Sequence, residues 1–158
     1  MRALVQRVRE ASVAIGGEVT ARIGKGYVIL LGIRQGDSSE AALFLAEKCA
    51  HLRVLEDPAG KMNLSLDDTG GSALVVSQFT LYADAQKGNR PGFSHAARPE
   101  EAEPLYAAFV DRMRAILGRE RVVTGSFGAM MEVTIVNSGP VTILIESGSQ
   151  LNERSTIP

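Results

Sequence analysis

The stretch Tyr27-Val28-Ile29-Leu30-Leu31-Gly32-Ile33 constrains this chain most. It is almost wholly apolar, it follows Gly24-Lys25-Gly26, and it is too short to be read as an amphipathic helix. Such a run is a strand buried on both faces. The rest of the chain is read around it. Upstream the period is two: residues 3–8 and 12–15 read as strands leading into Gly16-Gly17, a dipeptide that tolerates the positive φ angles of a tight hairpin, with 18–23 as the return strand.

Downstream, Asp37 followed three positions later by Glu40 forms a capping pair for a helix over 38–52, with Leu43, Ala46, Cys49 and Ala50 at helical spacing. Asp57-Pro58-Ala59-Gly60 is a turn, 63–66 a short extended piece and 67–72 a polar loop. Residues 73–81 read as a strand whose second half turns polar. Residues 83–98 have no period and form a long loop, of the kind that is often functional inside a compact domain. Pro99-Glu100-Glu101 opens a second helix, because proline suits its first turn and carboxylates its positive end. Its buried stripe is Leu105, Phe109, Met113 and Ile116 or Leu117, and it stops at Gly118. Strands at 121–125, 131–136 and 141–145 complete the pattern, and 147–158 is a polar tail expected to fray.

Length and charge exclude several classes. At 158 residues the chain is one domain, long enough to bury a core without disulfides or a structural metal, and it has a single cysteine, Cys49. Seventeen basic against eighteen acidic residues give a net charge of -1, which does not suit a protein that grips long phosphate backbones. Any nucleic-acid contact should be local, and DNA is not an expected partner. No apolar run is long enough to span a bilayer, and residues 1–7 lack the apolar centre of a signal peptide. A cytoplasmic location is expected, with no membrane partner.

Side chains suited to catalysis are scarce. His51 and His95 are the two histidines, and neither sits in a metal-ligand spacing, so no metal and no cofactor are expected. His51 reads as a helix C-terminal cap, His95 as a solvated loop residue, and Cys49 as a small buried hydrophobe. No GxSxG or SxxK pair and no Walker loop is present. Two segments stand out. Ser77-Gln78-Phe79-Thr80 puts polar groups at the end of an apolar strand, which can be edge decoration or a site. Asn137-Ser138-Gly139-Pro140, between two apolar strands, reads most simply as a hairpin turn.

SQFTLYAD at 77–84 and NSGPVT at 137–142 together resemble the two signature motifs of the D-aminoacyl-tRNA deacylases, in that family's order. The MRALVQRV opening and the GKGYVILLGI, KMNLSL, LYAAFV and FGAMM segments extend the resemblance over nearly the whole chain. It implies an α+β fold, a β-barrel-like sheet body with two main helices in a single domain over 1–146, assembled as a homodimer with active sites at the subunit interface. The implied reaction is hydrolysis of the ester joining a D-amino acid, or glycine, to the 3′-terminal adenosine of tRNA.

By the same resemblance Ser77, Gln78, Phe79 and Thr80 wall the pocket at the ester. Gly139-Pro140 is a cis dipeptide that enters the partner's pocket and rejects L substrates, with Asn137 beside it and Arg7 bracing it. Phe93 and Met130 are candidates for the adenosine pocket, although core or surface roles are open for both. The backbone N–H groups of Phe79 and Thr80 are candidates for an oxyanion hole. Either Thr80 or the ribose 2′-hydroxyl assists the attack. Ser138 stands where aspartate is common, and the 86–93 loop is less basic than the family's. The rival readings are a non-catalytic module binding an RNA 3′ end and a threonine-nucleophile amidase.

Overall fold

The computed structural model describes residues 1–148; of the expected polar tail, 149–158 lie outside the described residues. The chain opens with β1 (Arg2–Ile15), β2 (Glu18–Ile23) and β3 (Gly26–Gly32), followed by helix α1 (Ser39–Ala50). A small ribbon, β4 (Leu55–Glu56) with β5 (Met62–Leu64), and a one-turn helix α2 (Leu66–Thr69) lead to β6 (Ser72–Ser77). A 3-10 turn over Phe79–Tyr82, the long helix α3 (Pro99–Leu117), a 3-10 turn over Arg119–Arg121, β7 (Val122–Thr124) and β8 (Glu132–Glu146) complete it.

The main sheet runs β2-β1-β3-β6-β7, with β8 on the remaining side of β1. β2 approaches β6 and β7, so the sheet curls into a nearly closed, barrel-like body. Within it β3, β6 and β7 are mutually parallel, while β1 pairs antiparallel with β2, β3 and β8. The central strand is buried on both faces as its composition requires. Tyr27, Ile29 and Leu31 face a core shared with Leu45, Cys49, Phe109 and Met113 of the two packed helices. Val28 faces a second core inside the barrel, with Val8, Val13, Ile23 and Leu74. Gly26 marks the closest approach of β3 to β6: a Cβ there would lie 1.8 Å from the Ser72 carbonyl oxygen, so only glycine fits.

Several local expectations need correction. β1 is one strand rather than two, because the exposed Arg9 and Glu10 sit where its ladder passes from β3 to β2 while β8 pairs along its other edge. The α1 cap is Ser38, whose hydroxyl accepts from the Ala41 N–H at 3.3 Å. Asp37 instead accepts from the Met1 ammonium at 2.8 Å and from the Arg34 N–H at 2.6 Å. Leu43 is exposed, and Ala42, Leu45, Ala46 and Cys49 form the buried stripe. The polar stretch 67–72 contains most of α2, held by a capping box between Ser65 and Asp68. Those bonds from Ser65, its backbone N–H first, hold the Asp68 carboxyl below the usual carboxylate range. The strand expected over 73–81 ends at Ser77, and the two strands expected over 131–145 are the single β8.

Candidate active site

Parallel pairing brings the carboxyl ends of β3, β6 and β7 to one rim of the barrel, where the loops that leave them enclose a cleft of about 500 Å³. Leu31 and Ile33 come from the end of β3, Ser77, Gln78 and Phe79 from the end of β6, and Phe127 and Gly128 from the segment after β7. The fourth side is Phe93, Ala96, Ala97, Arg98, Pro99 and Ala102, from the long loop and the start of α3. The lining is mostly apolar, with polar groups concentrated at Ser77 and Gln78 and at Gln35 and Arg98. Crevices at the carboxyl ends of parallel strands are a recurrent place for ligands, because loops there diverge over a rigid base.

The end of β6 is shaped by its own backbone. The Gln78 N–H still donates to the Leu31 carbonyl at 2.8 Å, and then the chain coils: the first bond of the 3-10 turn runs from Leu81 N–H to Gln78 oxygen at 3.2 Å. The N–H groups of Phe79 and Thr80, at the start of that turn, therefore have no acceptor within it. The Gln78 amide Nε2 donates to the Thr80 hydroxyl oxygen, which occupies one of the lone pairs of Thr80. Phe79 and Phe93, both exposed, meet edge to face with ring centroids 5.1 Å apart. Behind the cleft, Tyr106 donates its hydroxyl to the Val75 carbonyl at 2.9 Å, and burial pushes that phenol up to about 12.

The second motif lies elsewhere. Asn137-Ser138-Gly139-Pro140 is not a hairpin turn but a swelling within β8. Across from it, β1 advances from Gln6 to Val8 while β8 runs from Thr142 back to Asn137, so four residues of β8 stand opposite Arg7 alone. Arg7 is nine-tenths buried beneath them, donating from Nε to the Ser138 carbonyl at 3.1 Å and from Nη1 to the Val54 carbonyl at 2.9 Å. Its Nη2 lies 3.6 Å from Glu56 Oε1. The Asn137 side chain closes the swelling: Nδ2 donates to Thr142 Oγ1 at 2.9 Å, and Oδ1 accepts from the Val141 N–H at 3.3 Å. Gly139 and Pro140 stand exposed at its crest, joined by a cis peptide. Gly139 has φ +119°, and a Cβ there would lie 2.8 Å from Arg7 Nη2.

Of the residues the sequence singles out, Ser77, Gln78, Phe79 and Phe93 line the cleft together, with Thr80 at its edge through Gln78. Asn137, Gly139, Pro140 and Arg7 form a separate group, and none of them lines the cleft. Register measures the gap. Arg7 is level with Tyr27 and Ala73, four residues before the Leu31 and Ser77 pair, and β8 lies three strands from β6. Those offsets correspond to roughly 20 Å along the sheet. Met130 is 91% exposed and joins neither group. Sequence reading did not single out Arg98, Phe127 or the Ala96-Ala97 edge. An arginine at the position before a helix-opening proline was the one available signal.

Comparison with known proteins identifies the family. A family model described as D-Tyr-tRNA(Tyr) deacylase matches residues 4–146. A D-aminoacyl-tRNA deacylase of Symbiobacterium thermophilum is 60% identical over 147 residues, covering 93% of this chain and 96% of that one. One from Thermus aquaticus is 54% identical, covering 98% and 100%. The solved structure of a c-Myc DNA Unwinding Element Binding Protein superposes with a TM-score of 0.90 at 43% identity, over 94% of this chain and all of that one. A structure titled as a probable eukaryotic D-amino acid tRNA deacylase has the same fold, with a TM-score of 0.77 at 18% identity over 92% of this chain and 98% of that one. By the extent of the family match and the closeness of these relatives, the chain belongs to the D-Tyr-tRNA(Tyr) deacylase family.

Proposed function

We propose that this protein is a hydrolase that cleaves the ester between a D-amino acid and the 3′-terminal adenosine of tRNA, freeing both. The observation that carries the reading is the cleft at the end of β6. It joins an apolar, aromatic-edged wall to two backbone N–H groups, of Phe79 and Thr80, that no helical carbonyl uses. Ester hydrolysis develops negative charge on the carbonyl oxygen, and fixed N–H donors stabilise it without reorganising. Membership of the deacylase family supports the same chemistry.

The selection of D over L, in this reading, is made by the Gly139-Pro140 crest of a second copy. The crest is exposed, held from below by Arg7, and about 20 Å from its own cleft by strand geometry. A homodimer in which each crest enters the other's cleft brings the two groups together. Main-chain atoms there would occupy the space of an L side chain, whereas D-aminoacyl and glycyl esters, including glycine mischarged on tRNA for alanine, would fit. A rigid wall excludes by clash, which discriminates more strongly than a missing contact. The ribose 2′-hydroxyl of the substrate assists the attack of water, since the Thr80 oxygen already accepts from Gln78 and no histidine lines the cleft. Such a proofreader works in the cytoplasm, where aminoacyl-tRNA is made.

The test is incubation with D-Tyr-tRNA and L-Tyr-tRNA, following release of tyrosine. Release from the D ester alone is expected. Binding without release, or equal release from both, overturns the reading. Sedimentation of an active monomer overturns its cross-subunit part.

A further inference from the structure

Arg98 breaks a local rule at the lip of the cleft. It occupies the N-cap of α3, where Ser, Thr, Asp or Asn would accept a bond from the exposed N–H groups and where a cation opposes the helix dipole. Its side chain makes no capping bond, and it forms no ion pair among the described residues, although Glu100 and Glu101 follow it on the same helix. The guanidinium is thus neither a cap nor a partner in a surface pair. It lines the mostly apolar cleft with Phe79 and Phe93, and is its one charged residue among the described residues. Residues that violate local preference without an evident structural return concentrate at functional positions.

We propose that Arg98 is a substrate-binding residue that holds the phosphate on the 5′ side of the terminal adenosine. This rests on the deacylase reading of the same cleft. A nucleotide whose base packs on the exposed Phe79 and Phe93 rings carries that phosphate one ribose away. The fork of a guanidinium is suited to two phosphate oxygens. Arg98 adds affinity for the ground state and for the transition state alike, because the phosphate takes no part in ester cleavage. Its loss acts on KM and leaves kcat in place.

The experiment compares the wild-type chain with R98Q and R98K on three substrates. These are D-Tyr-tRNA, 3′-O-D-tyrosyl adenosine 5′-monophosphate, and the same adenosine ester without its phosphate. R98Q is expected to raise KM for the two phosphate-bearing esters about tenfold, the scale of a charged hydrogen bond, with kcat unchanged. On the tRNA ester it should also flatten the dependence of log affinity on log salt by about 0.7, one phosphate contact on a single strand. R98K should recover most of the loss, and all three proteins should treat the phosphate-free ester alike. An equal loss on esters with and without phosphate means that Arg98 shapes the cleft and overturns the assignment, as does no change on any ester. A wild-type protein that releases tyrosine from none of the three overturns the deacylase reading and this assignment with it.

Discussion

The two motif regions are built on opposite principles. The Ser77 to Thr80 wall ends a strand that lies in the middle of a parallel trio, its backbone fixed by Leu31 on one side and by β7 on the other. The Gly139-Pro140 crest rises from β8, which pairs with β1 on one side only, and its inward residues Val141, Ile143 and Ile145 are only half-buried in the single chain. One region is built wholly within the single chain. The other is presented outward and supported by one buried arginine. In the proposed homodimer, the exposed crest is the part that one copy lends to the other's cleft.

The sharpest way to break this contrast is at Gly139. Substitution by alanine places a Cβ 2.8 Å from Arg7 Nη2 and 3.0 Å from Val141 Cγ2 at a strained φ of +119°, so either the crest or its Arg7 support must shift. Deacylation of D-Tyr-tRNA should fall about 100-fold, the effect of a misplacement near 1 Å, while far-UV circular dichroism stays unchanged. Wild-type rates would show that the crest takes no part. Arg7→Ala acts on the support. It strips the Ser138 and Val54 carbonyls of their donor, so about 2–3 kcal/mol of stability should be lost, readable as a fall in the urea midpoint. Activity should fall more than the fraction unfolded explains.

Thr80→Ala probes the other region. If the substrate's own hydroxyl assists, the rate should drop less than about tenfold, well short of the losses typical of a removed nucleophile. A trapped acyl-enzyme at Thr80 would reverse that view. The smallest effects separate the frames beneath the two regions. Tyr27, level with Arg7, donates to the Leu52 carbonyl at 2.7 Å, whereas the Val75 carbonyl under Tyr106 also receives the Gly125 N–H at 3.0 Å. Tyr27→Phe should therefore cost about 1 kcal/mol and Tyr106→Phe less, by chemical denaturation. Burial raises both phenols to about 12, so the native state keeps protons that the unfolded chain releases near its ordinary value of 10. The stability linked to them is intact below pH 10 and is lost as pH climbs towards 12. In each Phe variant that decline should be shallower. Asp68, shifted down, has the opposite sign and matters only as pH falls through the carboxylate range.

Sequence made the frame legible wherever local chemistry decides it. Gly16-Gly17 closes its hairpin, the 27–33 run lies at the centre of the sheet, and α3 begins at Pro99 and is capped at Gly118. His51 also caps α1 as read, with Nδ1 3.0 Å from the Glu47 carbonyl oxygen. What failed was continuity. Asn, Gly and Pro at 137–140 have the composition of a turn, yet β1 pairs with β8 before and after them, and pairing is a long-range fact that no window of residues contains. The same holds for the cleft. Ser77 to Phe79 and Phe93 could be picked out, but that Phe127 and Arg98 stand beside them follows from the order of parallel strands rather than from any local pattern. Met130, within the FGAMM segment that carries part of the resemblance, lies in open solvent in the single chain.

The parallel trio has an evolutionary corollary. Because the loops after β3, β6 and β7 hang from one stiff base, each can change its chemistry above it, although those after β3 and β6 are tied together by the Arg34 and Ala96 bridge and must vary in step. Descendants of this scaffold can therefore acquire new tastes for the acceptor end by editing loops, while the barrel beneath drifts only as far as its packing permits.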